Sequence, residues 1–156
     1  MAKISLAKLL KTKSRLASLM SRTAQEVVKF NSVVRGTPTT DVRKVLDRHT
    51  EQMNAMIVLK NTRHVANQQI VPLLNRLAEL KSRLSWMQGV STVDGPVPSY
   101  RTTEPVMYVA VLKKEDMAKI VREHEIEIDK LQDEIDTYNA LTQVEVPDLI
   151  MEMVKQ

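Results

Sequence analysis

His49, His64 and His124 are the side chains of this chain best suited to acid–base or metal chemistry, and none has the neighbours such chemistry requires. A di-metal carboxylate bundle repeats a Glu-x-x-His pair on two helices. The residues three before the histidines are Leu46, Asn61 and Val121. The nearest acids, Asp47 and Glu51 around His49 and Glu123 and Glu125 around His124, fall at other spacings. His49 and His124 lie on apolar stripes, where a hydrogen-bonded or register-fixing polar residue is the expectation. A metal-dependent enzyme centred on His49 and His124 is kept as a second alternative. No cofactor is called for.

Other catalytic constellations are missing from the sequence. There is no cysteine, hence no thiolate nucleophile, thiolate metal site or disulfide. No G-x-S-x-G, Gly-rich phosphate loop or H-E-x-x-H occurs, and three glycines leave little for a backbone phosphate cradle. The acids Glu123, Glu125, Glu127, Asp129, Asp133, Glu134 and Asp136 spread around a helix and do not follow a calcium loop. They read as a solvated or partner-facing flank. The expectation is a protein that is not an enzyme.

Charge is sorted by position. Residues 1–66 carry thirteen Lys/Arg against four Asp/Glu, whereas residues 113–156 carry six against twelve. The basic start includes Lys3, Lys8, Lys11, Lys13 and Arg15, which could neutralise phosphates. Nucleic-acid or polyanion binding by this first helix is therefore the first alternative function. Its helix holds no aromatic before Phe30, so base stacking lacks a platform. Pairing with the acidic last helix, of the same or another subunit, is the preferred use of these cations.

The elements that would position these groups follow from apolar spacing. Ser5 suits an N-cap, and Leu9, Leu16, Thr23 and Phe30 recur every seven residues, predicting a helix over 5–30. Gly36-Thr37-Pro38 marks a turn. A second helix over 40–66 starts at Thr39 or Thr40, with Asp41 in its first turn and an apolar face of Val42, Val45, Leu46, Met53, Met56 and Ile57. Pro72 opens and Gly89 closes a third helix over 70–88. Val106–Leu112 is seven apolar residues in a row, which predicts a strand buried on both faces; Thr142–Val146 is a shorter candidate. Between them Met117, Val121, His124, Ile128, Leu131, Ile135 and Tyr138 follow at fours and threes, a coiled-coil seam on a helix over 113–141.

The chain is 156 residues long and 43% hydrophobic, which suits one domain, 1–146, with residues 147–156 as a C-terminal docking tail. With five aromatics, Leu, Ile, Val and nine Met residues are expected to fill the core. No run approaches the ~20 apolar residues that span a bilayer, so a soluble protein with no membrane partner is expected. A lone strand pair is marginal in water, so Val106–Leu112 is expected to find further strands in a neighbouring subunit.

The ordered features resemble one small bacterial family that also occurs in phages, whose function is unassigned and some of whose members carry the label septicolysin. The matching residues are Asn31, Val34, Gly36 and Pro38; Asn61 and Thr62; Glu104 and Val106–Val111; and Ile135, Asn139 and Thr142. The similarity covers about 1–146. Leu141 and its neighbours stand where the family has an Asn-Trp pair, and the tail past Pro147 is additional. The resemblance implies a helical-hairpin fold with a small β element and self-association. Pore formation is not carried over, because no segment has membrane-inserting character.

The expected fold is mainly α, an antiparallel bundle of coiled-coil hairpins whose small β element is completed between subunits. The expected function is a non-enzymatic, self-associating structural protein, with a phage capsid or tail accessory role implied by the resemblance. Such a protein is virion-borne if phage-encoded and otherwise cytoplasmic, with copies of itself and other phage structural proteins as partners. The expected oligomer interface comprises the seam from Met117 to Tyr138, the strand residues Val106, Tyr108, Val109 and Val111, and the tail residues Leu149, Ile150 and Met153.

Overall fold

The first helix begins where its cap dictates. The Ser5 hydroxyl accepts the backbone N–H of Lys8 at 3.2 Å, and α1 runs Leu6–Phe30. The structure, a computed structural model, describes residues 1–101 and 103–155. Along α1 the seven-residue repeat faces inward, with Leu9, Leu16 and Thr23 buried and Phe30 half-buried. The buried hydroxyls of Thr12 and Thr23 donate to the carbonyls of Lys8 and Leu19, each at 2.9 Å. Neither polar group is thus left unpaired.

Ahead of α1 lies an element the spacing does not predict, strand β1 over Ala2–Ser5. The N–H of Leu6, at the end of β1, donates to the Thr142 carbonyl at 2.8 Å. The helix α2, Val42–Asn67, follows a turn in which Gly36 takes φ +86°, a conformation that favours glycine. Asp41 is itself the cap of α2 and not a first-turn residue, since its carboxylate accepts the Lys44 N–H at 3.3 Å. A 3₁₀ turn at Gln68–Ile70 leads into α3, Val71–Met87, with Pro72 in the first turn, where its missing N–H costs nothing. Strands β2 (Gly95–Val97) and β3 (Val106–Tyr108) come next, then α4 (Lys114–Leu141), β4 (Gln143–Val146) and α5 (Asp148–Met153).

The chain is mainly α with two small two-stranded antiparallel sheets. Contacts divide it into two compact units. The first comprises Met1–Gln69 and the chain from Asp136 onward, the second Ile70–Ile135. In the first unit α1 packs along α2. Strands β1 and β4 pair with Ala2 opposite Val146 and Ser5 opposite Gln143. The core there joins Ile4, Leu6, Leu9 and Leu16 to Ala55, Met56 and Leu59 of α2 and to Val146 and Ile150 near the end of the chain. Tyr138 closes one side, its hydroxyl donating to the Ala66 carbonyl at 2.6 Å.

In the second unit α3 and α4 meet through the Arg76–Glu127 ion pair and the Lys81–Gln132 hydrogen bond. Leu77, Leu80 and Met87 of α3 and Met117, Leu131 and Ile135 of α4 are buried. The start of α4 is half of a capping box, the Asp116 carboxylate accepting the N–H of Lys113 at 3.1 Å.

The strand expected over Val106–Leu112 is shorter and lies on the surface. Only Val106–Tyr108 is extended and paired, with Val97 opposite Val106 and Gly95 opposite Tyr108, and all three residues are exposed. The physical reason lies in its partner. Pro96 and Pro98 have no N–H to give a ladder. Past Tyr108 the Asp94 carboxylate takes the Ala110 N–H at 3.0 Å in place of a backbone partner and also pairs with Lys113 at 3.3 Å. Those two partners, the Ala110 amide first, hold the Asp94 carboxyl below the ordinary carboxylate range. The folded pKa is depressed, so this clamp operates at neutral pH and is released as pH falls through that lowered value. Hydrogen exchange should therefore be faster at the Ala110 amide in Asp94→Ala at neutral pH. An unchanged rate would remove the clamp from the account.

Candidate interaction surface

The groups singled out for chemistry are dispersed. His49 is half-buried on α2 in the first unit and His64 is exposed. His124 is half-buried on α4 in the second unit, where its Nδ1 lies 2.9 Å from the Ile120 carbonyl. Among the described residues no group of three or more His, Cys, Asp or Glu is placed to hold a metal ion.

A polar cleft of about 480 Å³ lies in the first unit, between α1, α2 and α5. Arg22 and Glu26 of α1 line it with Arg48, Glu51 and Gln52 of α2 and Glu152 of α5. Gln52 is 4% exposed, and no protein donor reaches its Oε1. Charges of both signs share this wall. It holds no histidine, cysteine or lysine, and the one hydroxyl, on Thr23, is committed to Leu19. The cleft can hold polar groups but has no nucleophile paired with a base.

Expected interface residues fall into two sets. In the α4 seam, Met117, Leu131 and Ile135 are buried and Val121, His124, Ile128 and Tyr138 half-buried. No position of the stripe is fully exposed. In the tail, Ile150 is buried in the first unit's core, Met153 is half-buried against it and Leu149 is exposed. The β3 arm behaves oppositely. Val106 and Tyr108 are exposed, Met107 is 66% exposed, and Val109 and Val111 reach 88% and 92%. Tyr100 and Trp86 in the same unit are exposed as well. On α2, Leu46, Met53 and Ile57 of the predicted inward face also point outward, while Val45, Ala55, Met56 and Leu59 are buried. That helix is apolar on two sides, and only one side meets α1.

The cations of the first helix have no acidic partner among the described residues. Lys8, Lys11, Arg15, Arg22 and Lys29 are exposed on α1, Lys3 is exposed on β1, and Lys13 is half-buried off their line. Ion pairs among the described residues join Met1 to Asp148, Lys44 to Asp41, Arg76 to Glu127 and Lys113 to Asp94. None involves a cation of α1, so the expected pairing with acidic residues within one subunit is not among them. The buried face of α1 packs on α2.

No helix among the described residues is long and apolar enough to cross a membrane. Comparison with protein families, curated proteins and solved structures finds no match to this chain.

Proposed function

We propose that the protein is a non-enzymatic assembly component whose copies associate through the apolar arm Val106–Leu112. The observation that carries this reading is the exposure of that arm. Six of its residues, Val106, Met107, Tyr108, Val109, Val111 and Leu112, are exposed large hydrophobics in one run. Monomers seldom leave contiguous apolar surface open, because burying it releases about 25 cal/mol per Å². The β2–β3 pair is also a two-stranded sheet with open edges, which another chain can extend by backbone hydrogen bonds. A second copy brings the same arm, so one patch can meet itself across a two-fold axis.

Placement in a phage particle belongs to this proposal through the family resemblance, and adjacency of the gene to capsid or tail genes tests it. Sedimentation of the purified protein over the micromolar range tests the physical core. A defined oligomer is expected. A monomer across that range removes the reading.

A further inference from the structure

The cations of α1 form a line with a consistent pitch. Lys8, Lys11, Arg15, Arg22 and Lys29 follow at spacings of three, four, seven and seven, which keeps them on one flank of the helix. At 1.5 Å per residue the line is about 32 Å long. Lys29 also lies 4.9 Å over the Phe30 ring. The helix has one acid, Glu26, which is half-buried at the margin of the polar cleft. The rest of its exposed face is serine, glutamine, alanine and valine.

Helix α4 carries the opposite sign. Glu125, Asp129 and Asp133 are exposed at spacings of four, which keeps them on one flank; Glu123 and Glu134 are exposed on the opposite side, and Arg122 and Lys130 are exposed cations nearby. None of these five acids is in an ion pair among the described residues. Glu127, on the α3 side, is engaged by Arg76.

We infer that the α1 stripe of one copy docks on the acidic α4 flank of a second copy. This inference rests on the self-association reading and names a second contact that orders the copies. Both surfaces are helical, so their charges repeat with one pitch and can meet in register. The exposed face of α1 has no aromatic on which a nucleic-acid base could stack, which favours the protein partner over a polyanion. Exposed ion pairs are individually weak, so apolar contact supplies affinity while the stripe fixes orientation and suppresses wrong pairings. The two patches are different, so the contact either forms twice across a two-fold axis or runs head to tail into a ring or a filament.

A charge exchange tests it. One variant carries Lys8→Glu, Lys11→Glu and Arg15→Glu; the other carries Glu125→Lys, Asp129→Lys and Asp133→Lys. All six sites are exposed, and circular dichroism confirms that each variant folds. By light scattering at about 50 mM salt, where the Debye length exceeds 10 Å, each variant alone should associate at least about tenfold more weakly than the original chain. Mixed one to one, they should assemble together, because each reversed stripe then meets a reversed partner. Association of either variant equal to the original overturns the inference and leaves self-association standing. Failure of the mixture to recover also overturns it. An original chain that is monomeric at every salt concentration overturns the self-association reading instead. If the α1 variant loses only a mobility shift with about 30 base pairs of duplex DNA, with association unchanged, the stripe's occupant is a polyanion and the inference fails.

Discussion

Leu59→Ala is expected to lower folding stability by about 3 kcal/mol, within the range measured for leucine truncations in packed cores. Leu59 is fully buried at the centre of the first unit's core, among residues drawn from β1, α1, β4 and α5. Those elements are joined by two interlocking constraints, the β1–β4 ladder and the α1–α2 packing, which leave little freedom to collapse into a cavity. Since a domain holds only about 5–15 kcal/mol in total, the loss is a large fraction of the reserve. A urea titration followed by circular dichroism should show a lower midpoint with unchanged slope. Trp86, the only tryptophan, lies in the second unit and supplies an independent signal there. A shift below 1 kcal/mol would mean the core around Leu59 relaxes to fill the space, contrary to the packing described.

The double substitution Val109→Glu and Val111→Glu is expected to leave the fold intact and to raise the dissociation constant of the oligomer by about a hundredfold or more. Both side chains are almost wholly exposed in the single chain, so their replacement removes little internal packing. Surface changes of this kind usually alter stability by about 0.5 kcal/mol or less. Across an interface the effect is different. Two apolar anchors of about 1.4 kcal/mol or more each correspond to tenfold apiece, and like charges facing each other add to the loss. Light scattering against concentration, beside a thermal melt, reads both quantities. Unchanged association with an unchanged melt would show that the arm is not the contact surface.

Much of the helical framework is legible in the residues. Ser5 announces the start of α1, and the recurrence of Leu9, Leu16 and Thr23 marks the face that is buried, because cap and period act within one helix and need no knowledge of its partner. The α4 stripe is legible in part: Met117, Leu131 and Ile135 are buried, and Val121, His124, Ile128 and Tyr138 are half-buried. Pairing is harder to read. Strand β1 is four residues with a single deeply buried side chain, Ile4, too short to display an alternation. Its existence depends on Gln143–Val146, far away in the chain. The arm Val106–Leu112 has the composition of an interior strand, yet its length is decided by Pro96, Pro98 and Asp94 in a segment whose pairing the arm's own residues do not encode. On α2 hydrophobicity misleads, since Gln52 is buried while Met53 beside it is exposed. The surface cations were visible as a basic start. Their alignment into one line, with Lys13 outside it, emerges from the helix that carries them.

The ladder that places Ala2 opposite Val146 also sets a timetable for synthesis. A ribosome adding roughly 5–20 residues per second makes β1 about ten seconds before its partner strand exists. Throughout that interval Ile4, Leu6 and Leu9 lack the cover that Val146 and Ile150 later supply. The nascent protein must therefore carry a greasy, unfinished segment until residues 143–150 follow it out, and chaperone demand should persist until then.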